Sequence, residues 1–107
     1  MSRLETALGE QLRWAGLEGE TQYPFAKEQG RRFRFDFAWP GLKIAVEVEG
    51  GLWSRGESAH KHPLGILRDI EKGNLAVLLG WRGLRVTGDM IQSGEALRLI
   101  QQVMEEP

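Results

Sequence analysis

The sequence predicts a single α/β (α+β) domain whose elements run α-β-β-β-α-β-α, with a mixed central sheet flanked by helices. Three observations predict it. Apolar residues recur at helical spacing near both ends, two stretches at 31–39 and 43–49 alternate like strands, and a third helical stretch precedes a short apolar run at 81–87. The 107 residues favour one domain over 1–107 with a modest core. A core of this size benefits from dimerisation, so a homodimer is expected.

The first helix is predicted from a capping pattern followed by apolar residues at helical spacing. Ser2 and Glu5 have the spacing of a capping box, and Gly16 is suited to end the helix. The positions that define its apolar face are Leu4, Leu8, Leu12 and Ala15. A short strand over 21–25 is expected next, and Pro24 favours a place for it at the edge of the sheet.

Two predicted strands at 31–39 and 43–49 carry the most informative acidic residues of the chain. In the first strand the apolar residues take the odd positions, so Asp36 is expected on the opposite face. In the second strand the apolar residues take the even positions, so Glu47 and Glu49 share the other face. If the strands pair through the short turn between them, the three carboxylates converge on one side of the sheet.

Such a convergence of acids has two interpretations. Like charges that share one face repel one another, and a bound divalent cation is the simplest reason to tolerate them. In the other interpretation, Asp36 and Glu47 are ordinary polar residues on the solvated face of a sheet.

The second half of the chain contains the remaining elements. The pattern predicts a loop over 50–63, a helix from about 63 to 79, a strand over 81–87 and a last amphipathic helix that opens at 93–95. Three tryptophans are expected in the core, namely Trp14, Trp39 and Trp81.

Composition limits the classes of function. The chain has no cysteine, which excludes disulfides and thiolate metal sites. No apolar run is long enough for a membrane span and the N-terminus has no secretory pattern, so a cytoplasmic location is expected, in a bacterium or a phage-infected cell. The net charge of −1 hides local basic clusters. Such clusters can bind a polyanion, although ordinary mixed surface charge explains them equally well.

The order of elements and acids resembles the PD-(D/E)XK nuclease superfamily. That core carries a glutamate on the first helix, an aspartate at the start of a hairpin and an E-x-K pair on the next strand. Glu5, Asp36 and Glu47 match the first three positions, and Glu49 stands where the lysine is usual. The later residues resemble those of small Vsr-like and phage-encoded endonuclease domains: Gly50–Trp53, His60, Gly65, Asp69, Lys72, Asn74, Gly80, Trp81 and Arg85–Thr87. The resemblance covers nearly the whole chain and implies a restriction-endonuclease-like core.

The resemblance implies an Mg²⁺-dependent endodeoxyribonuclease in which Mn²⁺ can substitute. Magnesium prefers carboxylates and waters, and it can both activate the attacking water and neutralise charge in the transition state. Asp36 and Glu47 are the expected ligands, with the backbone carbonyl of Val48 as a third. Glu49 cannot supply the positive charge of a lysine, so it is expected to act as a base or a further ligand.

Three residues outside these strands are expected to complete the site. Glu5 is expected to reach in from its helix, although a capping box alone would also explain it. Lys72, on the second predicted helix, is a candidate for the missing lysine, while an ordinary solvated helix lysine is the competing interpretation. His60 is an alternative base, because an unperturbed imidazole titrates near neutral pH, although a lone histidine in a loop is often unremarkable.

The expected partner is branched DNA. Six basic residues are candidates for contacts with its phosphates: Arg31, Arg32, Arg34, Arg55, Lys61 and Arg68. A chain of this size has few side chains left for reading base edges, and a symmetric dimer can cut two related strands. Together with a resemblance to small archaeal-type Holliday junction resolvases, these arguments predict paired nicking of four-way junctions. The alternatives are Vsr-like mismatch or nonspecific nicking, a binding module without catalysis, and a structural subunit of a larger complex.

Overall fold

A computed structural model of the chain describes residues 1–50 and 63–106. The first element, α1, spans Arg3–Trp14, and the Ser2 hydroxyl caps it by accepting a hydrogen bond from the backbone N–H of Glu5. Leu8 and Leu12 are the buried residues of α1 and lie on one face, as their spacing predicts. None of the described helices is both long and apolar enough to cross a membrane.

The described strands form one mixed sheet in the order β1-β2-β3-β4. Their bounds are Glu20–Pro24 for β1, Arg34–Trp39 for β2, Ile44–Glu49 for β3 and Arg82–Thr87 for β4. The first three strands pair antiparallel, whereas β3 and β4 pair parallel, with Glu47 beside Arg85. The helix α2, Pro63–Leu78, lies between β3 and β4 in the chain, as the connection of two parallel strands requires. The predicted mixed α/β class is confirmed.

One side of the sheet packs against α1 and the two C-terminal helices, α3 (Gly88–Ser93) and α4 (Glu95–Glu105). Its core consists of side chains from all these elements: Leu8, Leu12, Phe37, Val46, Val86, Ile91, Ala96 and Ile100. Each of them is at most 1% exposed, so this face holds the best-buried apolar surface of the described residues. Burial of such side chains contributes about 1.5–3 kcal/mol each.

The other side of the sheet carries a smaller aromatic cluster below α2. Phe25, Phe35 and Trp81 stack or meet edge to face in it, with the rings of Phe25 and Phe35 3.9 Å apart between centroids. Leu75 and Ala76 of α2 pack against this cluster without being fully buried. In fact α2 has no buried residue, so it lies on the sheet more loosely than α1 does.

The alternation predicted for the strand at 31–39 is wrong at Asp36. Phe35 packs in the aromatic cluster below α2, whereas Phe37 packs in the core on the opposite side. The break coincides with a cross-strand hydrogen bond, in which the Asp36 carboxylate accepts from the Val48 N–H of β3 at 2.7 Å. Side-chain bonds of this kind compete with the regular ladder. Alternation in β3 is as predicted, with Val46 in the larger core and Glu47 facing α2.

Two other predictions need correction. Trp14, expected in the core, is 91% exposed, because it follows Leu12 by two residues and therefore points away from the buried face of α1. The predicted last helix begins at Glu95, but a separate short helix, α3, precedes it and was not predicted. Gly94 separates the two helices with a φ of 87°, a conformation that glycine adopts at little cost.

Candidate functional site

The candidate site lies where β2 and β3 diverge, below α2. Asp36 and Glu47 meet there through backbone and side-chain groups, since the Asp36 N–H donates to Glu47 Oε2 at 3.3 Å. The same Asp36 holds the Val48 N–H with its own carboxylate. Each acid therefore helps to position the other strand, and the two carboxyl groups are held as neighbours.

Glu47 also forms an ion pair with Lys72, whose side chain extends from α2 towards the sheet. The Lys72 ammonium contacts Glu47 Oε1, and the two side chains are only 22% and 23% exposed. Burial raises the pKa of Glu47 above its ordinary value of 4.5; the Lys72 hydrogen bond and charge oppose that rise, and the Asp36 charge adds to it. A carboxylate that is partly desolvated and placed beside a second acid and a cation is typical of functional sites.

Glu49, the second acid of β3, has a different partner. Arg85 on the neighbouring strand β4 donates to Glu49 Oε1 through Nε at 2.7 Å and also through Nη2. This hydrogen bond raises the pKa of Arg85 above its ordinary range, assisted by the charges of Glu49, Asp69 and Glu47. Glu49 therefore lies in an ion pair of its own rather than beside Asp36.

Glu5 connects to Asp36 through Gln22 of β1. The Gln22 amide donates to Glu5 Oε2 at 3.1 Å and lies 3.5 Å from Asp36 Oδ1. Gln22 has a φ of 50°, a left-handed conformation that costs a residue with a side chain about 1–2 kcal/mol. Such strain is concentrated at functional sites, where the surrounding structure maintains it.

A cavity of about 380 Å³ opens between α2 and the sheet at this point. Its lining combines the charged pairs with the aromatic cluster, and includes Glu47, Glu49, Lys72, Arg85, Phe35 and Trp81. The volume lies in the range of cavities that accept small ligands or a part of a larger one. The Glu49–Arg85 pair lies on the sheet, whereas the Glu47–Lys72 pair joins the sheet to α2.

The candidate metal ligands are only partly assembled. Within residues 1–50 and 63–106, no three acidic or histidine side chains stand close enough to hold a metal ion together. Two carboxylates, those of Asp36 and Glu47, do lie adjacent, and one or two carboxylates with bound waters are the usual protein ligands of Mg²⁺. Val48 lies between Glu47 and Glu49 on β3, with its N–H committed to Asp36.

The predicted nucleic-acid contacts are dispersed. Arg31 pairs with Glu71 of α2, whereas Arg32, Arg34 and Arg68 are exposed. Three predicted site residues, His60, Arg55 and Lys61, lie outside the described residues. Arg68 lies on α2 itself, and the Arg31–Glu71 pair joins the segment before β2 to that helix.

Sequence reasoning missed two residues of this site, Gln22 and Arg85, as partners of the predicted acids. Gln22 lies in a short polar strand with no motif around it, so no signal identified it. The sequence singles out Arg85 only through the family resemblance. It does not pair Arg85 with Glu49, because Glu49 lies 36 residues earlier in the chain. The parallel pairing of β3 with β4, which alone brings the two together, had no separate sequence signal.

Comparison with known proteins gives two relatives of undetermined function. No family model matches the chain, and no solved structure matches it. Over 73 residues, 68% of this chain, it is 33% identical to uncharacterized proteins from two strains of Mycobacterium tuberculosis. The aligned segment is 25% of each relative, so the chain spans about a quarter of the length of the curated relatives it matches.

Proposed function

We propose that the protein is a divalent-metal-dependent endodeoxyribonuclease that hydrolyses phosphodiester bonds at the site around Asp36 and Glu47. The observation that carries the proposal is that these two acids meet on adjacent strands and that the Lys72 ammonium contacts the carboxylate of Glu47. Two oxygen ligands beside a cation match the needs of phosphodiester cleavage, in which negative charge grows on the phosphate.

The two acids are suited to hold a magnesium ion. Their oxygen atoms are hard ligands, and their mutual repulsion, which contributes to the raised pKa of Glu47, is relieved by a divalent charge. When bound, Mg²⁺ or Mn²⁺ supplies a Lewis acid that polarises a phosphoryl oxygen and makes a bound water more acidic. Asp36 and Glu47 would hold the ion, with the Val48 carbonyl as a further ligand implied by the family resemblance.

Lys72 and Arg85 together take the place of the positively charged lysine that the family resemblance implies at position 49 on β3. Lys72 already contacts Glu47, so its ammonium is within reach of a phosphate that approaches this carboxylate. It donates hydrogen bonds to the phosphate and stabilises the charge that develops in the transition state. Arg85 neutralises Glu49, which would otherwise repel the substrate. Glu49 then serves to orient Arg85, and Glu5 acts on Asp36 through Gln22.

The proposed substrate is DNA with a branch, cut by a homodimer. Exposed arginines near the start of β2 and on α2 support phosphate contacts, which give affinity without sequence recognition. A two-fold dimer would present two sites to paired strands. Linear duplex or mismatched DNA as the better substrate would correct this part of the proposal alone.

A binding module without catalysis is the second candidate, and one observation favours it. Both glutamates of β3 are paired with cations, Glu47 with Lys72 and Glu49 with Arg85. A metal ion must therefore compete with Lys72 for Glu47. If the ammonium wins that competition, the site binds phosphate without hydrolysing it.

One experiment tests the proposal directly. The purified chain is incubated with an end-labelled four-way junction or a linear duplex, with Mg²⁺, Mn²⁺ or EDTA. We expect metal-dependent cuts that Asp36→Asn and Glu47→Gln each reduce by about 10²–10³, since each removes a ligand or a charge from the reacting centre. Glu10→Gln, an exposed change on α1, is the matched control and should leave cleavage unchanged.

The outcomes separate the two candidates. Cleavage that persists in both acid variants, or that needs no metal, contradicts the proposed site. The binding module is supported if the chain binds DNA without cleaving it and calorimetry detects no heat of Mn²⁺ binding. A flat dependence of DNA binding on salt would exclude the arginines as a phosphate-binding surface.

A further inference from the structure

Helix α2 carries a solvent-exposed apolar stripe, which at Val77 also borders the cavity between α2 and the sheet. Its large side chains are 44–81% exposed, and they are Ile66, Leu67, Ile70, Val77 and Leu78. The steps from 67 to 70, 74 and 77 are three, four and three residues, which places them in one line along the helix. Lys72 and Ala76, by contrast, are half-buried on the side towards the sheet. This stripe, with Asn74 at its middle, is called the outer stripe below.

The outer stripe is large enough to require explanation. At these exposures, five side chains of this size present roughly 500 Å² of apolar surface, at the upper end of what soluble monomers tolerate in one patch. Two such surfaces that face each other bury about 1,000 Å² before any polar rim is counted, which reaches the lower bound of a specific interface. A second copy of the same chain therefore supplies enough area by itself.

The order of residues in the outer stripe also fits a second copy. If two α2 helices pair antiparallel across a two-fold axis near residue 72, Ile66 of one copy lies opposite Leu78 of the other. By the same symmetry Leu67 lies opposite Val77 and Ile70 lies opposite Asn74, so two of these three facing pairs are apolar. The stripe is thus complementary to itself in one register, as an interface between identical copies requires.

Asn74 can be accommodated in that register. In the antiparallel pair the two Asn74 residues lie about 6 Å apart along the helix axes, because each is two residues from the symmetry axis. A side-chain amide both donates and accepts, so the pair can satisfy each other across the axis.

We propose that the outer stripe of α2 is the surface through which two copies of this chain form an antiparallel, two-fold dimer. The inference does not depend on nuclease activity. It does connect the dimer to the candidate site, because Lys72 projects from the inner side of the same helix onto Glu47. Dimerisation would hold α2, whose side towards the sheet has no buried residue, in place above the site.

The mass of the full chain in solution is the first test. Sedimentation equilibrium from about 1 µM to about 1 mM, which spans weak and firm dimers, should give a dimer for the wild type. Ile70→Glu should weaken it at least about tenfold, because the charge would be buried in the seam. Leu42→Glu changes a residue of similar exposure, 51%, in the turn between β2 and β3, and should leave the dimer intact.

Cross-linking tests the register and does not depend on the glutamate variant folding. The chain has no cysteine, so Leu67→Cys and Val77→Cys can be made singly. In the proposed pair, residue 67 of one copy lies about 15 Å along the axis from residue 67 of the other, too far for a disulfide. A mixture of the two variants should therefore form the cross-linked dimer, and each variant alone should not.

Three results would overturn the proposal. The first is a wild-type monomer at about 1 mM, which would leave the stripe to another partner or to another part of a longer protein. The second is a dimer that Ile70→Glu leaves as strong as before while circular dichroism shows a native fold. The third is cross-linking of Leu67→Cys or Val77→Cys with itself, which requires a different register or a parallel pair.

Discussion

Replacement of Lys72 by methionine is the most informative single change at the site. Methionine keeps the unbranched apolar stem of lysine and removes only the ammonium. Glu47 then keeps its burial and its neighbour Asp36 but loses the partner that opposes them. Both remaining causes raise the pKa of Glu47, so we expect that pKa to rise further in the variant.

The cost to stability can be bracketed from the exposure of the two side chains. A fully exposed ion pair contributes about 0.2–1 kcal/mol, whereas breaking a fully buried pair costs about 3–5 kcal/mol. Lys72 and Glu47 are 22% and 23% exposed, nearer the buried limit than the exposed one. Protonation of Glu47 limits the cost, because the variant can discharge the unpaired acid. We therefore expect a loss of about 2 kcal/mol at neutral pH.

Urea denaturation of wild type and Lys72→Met measures this loss. The deficit should shrink as the pH falls, because protonated Glu47 no longer needs the ammonium. Lys27→Met, at an exposed position, is the matched control and should lie within about 0.5 kcal/mol of the wild type. A variant as stable as the wild type at neutral pH, or a deficit that grows on acidification, would refute the reasoning.

Three further predictions concern the site and its support. Between pH 4.5 and the raised pKa of Glu47, this residue is ionised in the unfolded chain and still protonated in the folded chain, so the free energy of unfolding falls as the pH rises. In Glu47→Gln, urea denaturation across this pH range should give a free energy of unfolding that depends less on pH. Phe37→Ala, at a side chain 1% exposed, should cost about 3–5 kcal/mol in the same assay. In Gly19→Ala the new Cβ would lie 2.7 Å from Trp39 Cε2, so a loss of about 1–3 kcal/mol and a changed tryptophan emission are expected.

The strands show how far periodicity alone can predict a site. The alternation of β3 correctly assigned Glu47 and Glu49 to the side opposite Val46, because a regular strand has no other way to present its side chains. The same rule failed in β2 at Asp36. There a carboxylate binds the Val48 backbone N–H, and such a bond depends on the neighbouring strand rather than on the local pattern.

Long-range pairs account for most of what the sequence could not predict. The sequence predicts Lys72 as a candidate because the family resemblance implies a lysine where β3 has Glu49. The contact of Lys72 with Glu47, however, depends on where α2 crosses the sheet. Arg85 is brought to Glu49 by the parallel register of β3 and β4. The helical spacing of α2 predicted a helix, yet its exposed apolar residues could not be assigned to a side before the packing was known.

Glu49 occupies the position on β3 where the family resemblance implies a lysine, and the local sum of charges shows the effect of that difference. Three acids, Asp36, Glu47 and Glu49, stand against two cations, Lys72 and Arg85, so one negative charge is in excess. A lysine at position 49 would change this sum by two charges, to one positive charge in excess. Arg85 cancels the charge of Glu49, because its guanidinium cannot lose its proton and is held on Glu49 by two donors. Of these five residues, Lys72 then remains as the cation beside Glu47 and Asp36.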